Sequence, residues 1–146
     1  MLFLLVLLCA TPDAGVKELL AKDFYTQALK DPAPRQVTAE QLSQWLKDGS
    51  VVLVDLRSKE QFAQKHLHGA INLPVTELTD AVVSKLLPRK DVRIVTYCDD
   101  QLFPTRRIAL TTLGVPSLRR LGYTDVALLE NLWMRRDAGA LVFDER

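Results

Sequence analysis

Apolar positions in this chain alternate between strand-like runs and helical stripes. Val51 to Val54 is a continuous apolar, β-branched run, which is typical of a strand buried on both faces of a sheet, and Val92 to Tyr97 is another strongly β-prone run. Shorter runs at 70–73 and 126–129 predict two further strands. Leu78, Val82 and Leu86 follow helical spacing up to Pro88. Strands that alternate with helices in this way favour an α/β fold with a parallel sheet covered on both faces.

Start and stop signals mark the remaining helices. Thr38 followed by Gln41 is a capping-box pattern and predicts a helix that ends near Asp48-Gly49. A second stripe predicts a helix over Val16–Lys30, followed by a linker at Asp31–Pro34. The stretch 106–113 is also helical in pattern. We expect Gly114 and Pro116 to interrupt that helix before it resumes at 117–121, with Gly122 as its cap.

Composition narrows the classes of protein to consider. The 146 residues match one ordinary domain, and 48% hydrophobic residues argue against wholesale disorder. A net charge of +1 removes the electrostatic case for a nucleic-acid binder. Two cysteines and two histidines are too few for a zinc finger or a disulfide framework. A small enzyme or binding domain remains.

The first residues predict export. Met1 to Ala10 is almost wholly apolar but too short to span a bilayer, and Thr11–Gly15 is small and polar, as at a signal cleavage site. We therefore expect a signal peptide at 1–14, a helix and linker at 15–35, and a periplasmic or secreted protein. Because no Lys or Arg precedes the apolar run, a buried strand in a cytoplasmic protein is the alternative. Lipidation of Cys9 would instead anchor the protein to a membrane.

Cys98 stands where parallel α/β proteins bind ligands. It follows the strand at 92–97, and ligands of such sheets bind beyond the carboxyl ends of the strands. A helix start after the loop would favour the thiolate through its amide groups. The alternative is a small buried cysteine with no chemical role.

Three stretches of the chain extend this argument. The first runs from Val51 through Asp55 and Arg57 to His66-Leu67-His68-Gly69-Ala70-Ile71-Asn72, the second is Ile94–Cys98, and the third is Leu121–Val126 with Trp133. In this order and spacing they resemble the rhodanese family of sulfurtransferase domains over about residues 36 to 143. We therefore assign 36–146 to a rhodanese-like domain.

The resemblance implies a fold and a chemistry. The fold is α/β, a single domain with a five-stranded parallel sheet and helices on both faces. The chemistry is nucleophilic attack by Cys98 on a sulfane sulfur, which leaves a persulfide on the cysteine. Backbone amides of the following six-residue loop would hold the charged sulfur, with Pro104 opening the next helix. The loop residues in question are Asp99, Asp100, Gln101, Leu102 and Phe103.

The same chemistry limits the expected partners. A small sulfur donor and a thiol or cyanide acceptor are needed, and a thioredoxin-like protein is compatible with the acceptor's role. No residue pattern indicates an organic cofactor or a metal, and none indicates nucleic acid. Contact with a membrane is expected only if Cys9 is lipidated.

Other polar residues have two interpretations each. Asp55 and Arg57 match the signature, and we expect them to form a structural ion pair, because charges at strand ends usually organise loops. His66 precedes Gly69 and, together with His68, is expected to make turn hydrogen bonds and not to bind a metal.

Arg106 and Arg107 are candidates for steering an anion toward the thiol, with a solvated surface as the alternative. Asp99 and Asp100 should raise the pKa of Cys98 and disfavour thiosulfate, unlike the basic or small polar loops of rhodaneses that use it. A rhodanese-like binding module without turnover is therefore the alternative to an enzyme. A cysteine-dependent phosphatase or arsenate reductase ranks last, because Pro104 stands where that chemistry needs an arginine.

Overall fold

The computed structural model describes Thr26 and residues 30–103, 109–134 and 141–145. The predicted signal peptide and nearly all of the predicted helix at 16–30 lie outside these residues. From Asp31 onward the chain forms one compact unit, to which every element below belongs. Within the described ranges, no helix combines the length and the apolar character needed to cross a bilayer.

Five strands of this unit pair in one parallel sheet. Its order is β1 (Gln36–Val37), β6 (Val126–Leu129), β5 (Ile94–Tyr97), β2 (Val52–Asp55) and β4 (Ala70–Asn72). All four pairings are parallel, which confirms the expected five-stranded sheet. The strand β1 was not predicted, because two residues are too short to show a period and pairing with β6 alone defines it.

Helices follow the strands along the chain. They are α1 (Ala39–Asp48), α2 (Lys59–Gln64), α3 (Asp80–Leu86), α4 (Asp99–Leu102) and α5 (Thr111–Arg120), with 3-10 turns at Val75–Glu77 and Leu132–Met134. Thr38 and Gln41 form the predicted capping box of α1, and Gly49 ends that helix with a φ of 70°. The helix α2 was missed, although Ser58 and Gln61 form a second capping box that the sequence displays.

The prediction of an interrupted helix after residue 106 was wrong. Residues 109 and 110 precede the helix, and α5 then runs unbroken through Gly114 and Pro116. Both residues are buried, and Ser117 donates its hydroxyl to the Leu113 carbonyl at 2.7 Å. Burial of the helix against the sheet therefore outweighs the local cost of glycine and proline. Residues 104–108 lie outside the described ranges.

Side chains of the central strands alternate between two core clusters, one on each face of the sheet. Leu53, Val95 and Ala127 lie in register and pack with α1 in one cluster. Val54 and Ile94 belong to the other cluster, which is covered by α3 and α5. The helices thus cover both faces, as expected, and β5 is buried over its whole length.

A second, two-stranded sheet joins the middle of the unit to its last described residues. Strand β3 (Lys65–Leu67) pairs antiparallel with β7 (Phe143–Glu145). Neither strand was predicted, because both are three residues long and their pairing spans about half of the chain.

Candidate functional site

Cys98 lies at the carboxyl end of the central strand, β5. Its neighbours in the sheet are β6 and β2, so the ends of three strands surround it. The residue is 1% exposed and borders a cavity of about 290 Å³. Besides Cys98, apolar and polar residues line the cavity in equal number: Leu56, Ser58, Gln61, Pro74, Val75, Thr76, Asp99, Asp100, Ala109 and Leu110.

The segment after Cys98 is a short helix, where a six-residue loop was expected. Gln101 closes this turn: its side-chain oxygen accepts from the Cys98 N–H at 2.9 Å, and its own N–H donates to the Cys98 carbonyl at 3.2 Å. Asp99 and Asp100 occupy the first turn, where carboxylates are favoured by the amide dipoles. The acidic pair and the glutamine therefore favour the start of a helix. The sequence shows this signal, but our sequence analysis considered only the charges of the two aspartates.

Backbone N–H groups from two parts of the chain reach the sulfur. Those of Asp100, Leu110 and Thr111 face the Cys98 thiol and lower its pKa. Of the five predicted loop residues, Asp100 contributes in this way to the charge state of the thiol, whereas the Phe103 N–H donates to the Asp99 carbonyl at 2.7 Å. The amides of Leu110 and Thr111 belong to the start of α5, whose first N–H groups have no partner within a helix. Sequence reasoning missed both.

The charge state of the thiol reflects two opposed effects. Burial raises the pKa of the Cys98 thiol above its ordinary value, and the nearby Asp100 carboxylate adds to the rise. The three N–H groups lower that pKa, but they do not outweigh burial. The expected rise is therefore present, with burial as its main cause and Asp100 as a smaller contributor.

The carboxylate of Asp99 is held by other groups. Gln61 on α2 donates its side-chain N–H to Asp99 Oδ2 at 2.9 Å. Arg57 Nη1 lies 3.6 Å from Asp99 Oδ1. The two consecutive carboxylates thus differ: Asp99 ties α4 to α2 and to Arg57, while Asp100 acts on the sulfur.

Asp55 and Arg57 form a buried ion pair beneath the site. Arg57 donates through Nη2 to Asp55 Oδ2 at 2.7 Å and also to the Lys65 carbonyl, and the two side chains are 4% and 0% exposed. Burial lowers the pKa of Arg57, but the hydrogen bonds and charge of Asp55 raise it to a net value above the ordinary one. For Tyr97, burial and Asp55 both raise the pKa of the phenol. The Tyr97 hydroxyl accepts a hydrogen bond from the Leu67 N–H at 3.1 Å. The pair therefore fixes the strand ends that frame the site.

His66 lies in strand β3, and His68 lies in the turn that follows it. His66 Nδ1 is 2.8 Å from the Phe62 carbonyl, and His68 Nδ1 is 3.0 Å from Asp144 Oδ2. Gly69 turns the chain with a φ of 81°. In the part of the chain that the structure describes, no cluster of His, Cys, Asp and Glu could hold a metal ion. Arg106 and Arg107 lie outside that part.

Trp133 supports the site from the 3-10 turn at 132–134. Its indole N–H donates to the Asp100 carbonyl at 2.9 Å. Gln101 makes a longer contact, 3.5 Å, with the Asn131 side chain. The turn after β6 therefore braces α4 at the residue whose amide contacts the sulfur.

Comparison with known families gives one assignment for the domain. A family model described as a rhodanese-like domain matches residues 38–134. This range contains four of the five strands of the parallel sheet, all except β1, and every described residue of the site.

Individual proteins are also similar to parts of this chain. The HTH-type transcriptional regulator Rv0324 of Mycobacterium tuberculosis is 39% identical over 62 residues, which are 42% of this chain and 26% of the regulator. Thiosulfate sulfurtransferase PspE of Escherichia coli is 35% identical over 46 residues, 32% of this chain and 43% of PspE. The matched segments thus span less than half of either relative. The crystal structure of a thiosulfate sulfurtransferase from Pseudomonas aeruginosa has a TM-score of 0.56 and 31% identity, covering 65% of this chain and 17% of that protein.

Proposed function

This chain belongs to the rhodanese-like domain family, and on that premise we propose that it is a sulfurtransferase that carries the sulfur as a persulfide on Cys98. The observation that carries the proposal is the convergence of three backbone N–H groups on the sulfur of a cysteine that borders a cavity. A structural cysteine buried in a core needs neither the cavity nor the donors.

The proposed reaction has two displacement steps. In the first, the Cys98 thiolate attacks the sulfane sulfur of a donor, an S–S bond forms, and the donor leaves with the electron pair of its own broken bond: thiosulfate leaves as sulfite, an organic persulfide as a thiolate. In the second, a thiolate or cyanide attacks the outer sulfur and Cys98 leaves as a thiolate. The sulfur is transferred without any external oxidant or reductant.

The N–H groups have a definite role in this scheme. They donate to an anionic sulfur in a site that little water reaches, where oriented amides are more effective than in bulk solvent. Leu110 and Thr111 present amides from the first turn of α5, so the helix dipole adds to the effect. These donors favour the attacking thiolate, the persulfide and the departing thiolate in turn, while burial keeps the resting thiol protonated.

The acceptor must reach a sulfur that is 1% exposed through the cavity beside α4. Small thiols and cyanide fit a cavity of this size. A thioredoxin-like protein is an acceptor only if its own cysteine is prominent enough to reach the outer sulfur. We retain all three as proposed partners.

We also propose that the protein is exported, and the apolar segment at 1–10 is the only support for this part of the proposal. A mature protein from the periplasm or medium would begin between residues 10 and 15. N-terminal sequencing of the native protein checks this, and an intact Met1 in a cytoplasmic fraction would contradict it.

The decisive experiment is mass spectrometry of the whole protein and of its peptides. After incubation with a sulfane donor, the protein should gain the mass of one sulfur atom on the peptide that contains Cys98, and cyanide should remove it with formation of thiocyanate. The matched control is Cys98→Ser, which keeps the size of the side chain and should gain nothing. A folded wild-type protein that stays unmodified with every donor would contradict the proposal and leave a binding module.

A further inference from the structure

We propose that Gln61 and Asp99 are positioning residues for sulfur transfer at Cys98, because the hydrogen bond between them holds the turn that follows the cysteine against α2. The inference rests on the proposed function, since it concerns the step at Cys98. The two residues are 38 positions apart in the chain, and both line the cavity beside the thiol.

The helix α4 depends on contacts from outside for its position. It is a single turn of four residues. Forming one turn fixes several backbone dihedrals for few hydrogen bonds, so a turn of this length is marginal by itself. Trp133 holds α4 from the turn at 132–134, and the bond between Asp99 and Gln61 holds it from α2.

The amide of Gln61 is oriented by the capping box of its own helix. Its Oε1 accepts from the Ser58 N–H at 3.4 Å, and Ser58 Oγ accepts from the Gln61 N–H at 3.3 Å. Because the amide oxygen serves this cap, the amide nitrogen points to Asp99 and donates to its Oδ2 at 2.9 Å. A hydrogen bond to a carboxylate is stronger than one between neutral groups. The start of α2 thus presents a donor to α4.

Arg57 engages the other oxygen of the same carboxylate. Its Nη1 lies 3.6 Å from Asp99 Oδ1. Arg57 is itself fixed, since its Nη2 donates to Asp55 Oδ2 at 2.7 Å and to the Lys65 carbonyl at 2.6 Å. The Asp99 carboxylate therefore joins the first residue of α4 to a donor on α2 and to a cation that is held in place at the strand ends.

A shift of α4 would change the surroundings of the thiol directly. Cys98 is the residue that precedes α4, and the Asp100 N–H faces its thiol. Both aspartates also line the cavity, so this N–H and the cavity wall would move together. A misplacement of about 1 Å can slow a reaction by about a hundredfold. The bond between Gln61 and Asp99 should therefore control the rate of reaction at Cys98 in the folded protein.

Exchanging the donor and the acceptor tests this role. Gln61→Glu keeps the length of the side chain and the oxygen that caps α2, but it sets a second carboxylate against that of Asp99. Adding Asp99→Asn restores one N–H···O bond in the opposite direction and returns the net charge to that of the wild type. The four proteins of the cycle are the wild type, the two single variants and the double variant, and urea unfolding checks that each is folded.

Two rate constants are measured for each protein. The first is persulfide formation on Cys98 with excess methanethiosulfonate, followed by mass spectrometry: the thiolate attacks the sulfane sulfur and methanesulfinate leaves with the electron pair of the broken S–S bond. The second is alkylation of Cys98 by iodoacetamide at constant pH. Iodoacetamide is uncharged and supplies no sulfur, so it reports the thiol without any effect of donor charge.

The expected result is that the effect of Gln61→Glu depends on residue 99. In the wild-type background it should lower both rate constants by on the order of tenfold, as expected for loss of a hydrogen bond to a charged group. The double variant should recover to within about threefold of the wild type. A carboxylate that acted only through its charge would instead slow the reaction by the same factor in both backgrounds.

Gln41→Glu is the matched control. Gln41 has the same place in the capping box of α1, where its Oε1 accepts from the Thr38 N–H at 3.2 Å, and this variant should react at the wild-type rates. Equal factors in the two backgrounds, or a Gln61→Glu variant as fast as the wild type, would overturn the inference while the persulfide still forms. Absence of the persulfide on wild-type Cys98 would overturn the proposed function, and the alkylation cycle would still decide whether the two residues position the thiol.

Discussion

The substitution Gly114→Ala tests how tightly α5 packs behind the site. Gly114 lies in the first half of α5 and is buried against Leu56. A Cβ at this position would stand 2.4 Å from Leu56 Cδ1, 3.2 Å from Cδ2 and 3.4 Å from Cγ. Carbon atoms in contact normally lie about 3.5–4.0 Å apart, so the Leu56 side chain must withdraw by roughly 1 Å.

Two opposed energies decide the outcome. Alanine is better than glycine inside a helix by about 0.8–1.0 kcal/mol, and an added methyl in a packed core costs about 1–3 kcal/mol. Leu56 is 1% exposed, so it cannot move into solvent, but it lines the cavity beside Cys98 and can move toward it. We therefore expect a net loss of about 1 kcal/mol in the free energy of unfolding, with Leu56 displaced toward the thiol.

Urea unfolding of four proteins measures these energies: the wild type, Gly114→Ala, Leu56→Ala and the double variant. Leu56→Ala should cost about 2–5 kcal/mol by itself. In that background the clash is absent, so Gly114→Ala should stabilise by about 1 kcal/mol. The sign of the effect of Gly114→Ala thus reverses, which corresponds to a coupling of about 2 kcal/mol.

Alkylation of Cys98 by iodoacetamide gives an independent measurement. Displacement of Leu56 into the cavity should slow alkylation in Gly114→Ala at constant pH, and Leu56→Ala should relieve it. A gain of about 1 kcal/mol for Gly114→Ala in the wild-type background, with unchanged alkylation, would show that Leu56 yields at no cost and would refute the packing argument.

Three further predictions concern charge and capping. Because burial raises the pKa of Cys98, the unfolding free energy of the wild type relative to Cys98→Ala should be largest at low pH and should decline as pH rises above about 8.5, where the thiol ionises first in the unfolded chain. Urea titrations at several pH values measure this difference. A difference that grows with pH would contradict the prediction. Arg57→Met leaves Asp55 buried without its cation and should lower the free energy of unfolding, measured with urea, by about 3–5 kcal/mol. A loss below about 1 kcal/mol would be inconsistent with a buried ion pair. Thr38→Ala removes the capping oxygen from the Gln41 N–H and should cost about 1 kcal/mol, with Thr38→Ser as the variant that keeps it.

Local pattern by itself determined much of this protein. Runs rich in β-branched residues identified β2 and β5, because a strand buried on both faces is apolar at most of its positions. Thr38 and Gln41 identified the start of α1, because a capping box needs only residues three apart. The position of Cys98 after the central strand placed it at the edge of the sheet where ligands bind.

Tertiary structure alone decided the composition of the site and the short strands. Nothing in the sequence indicates that Leu110 and Thr111 act at the sulfur, since every residue except proline supplies a backbone N–H. They reach Cys98 because α5 packs on the sheet in one orientation. Adjacent Asp99 and Asp100 differ through Gln61 and Arg57, about forty residues earlier in the chain. The strands β1, β3 and β7 exist only as partners of distant segments. Periodicity records which positions are buried, but not which distant residues they meet.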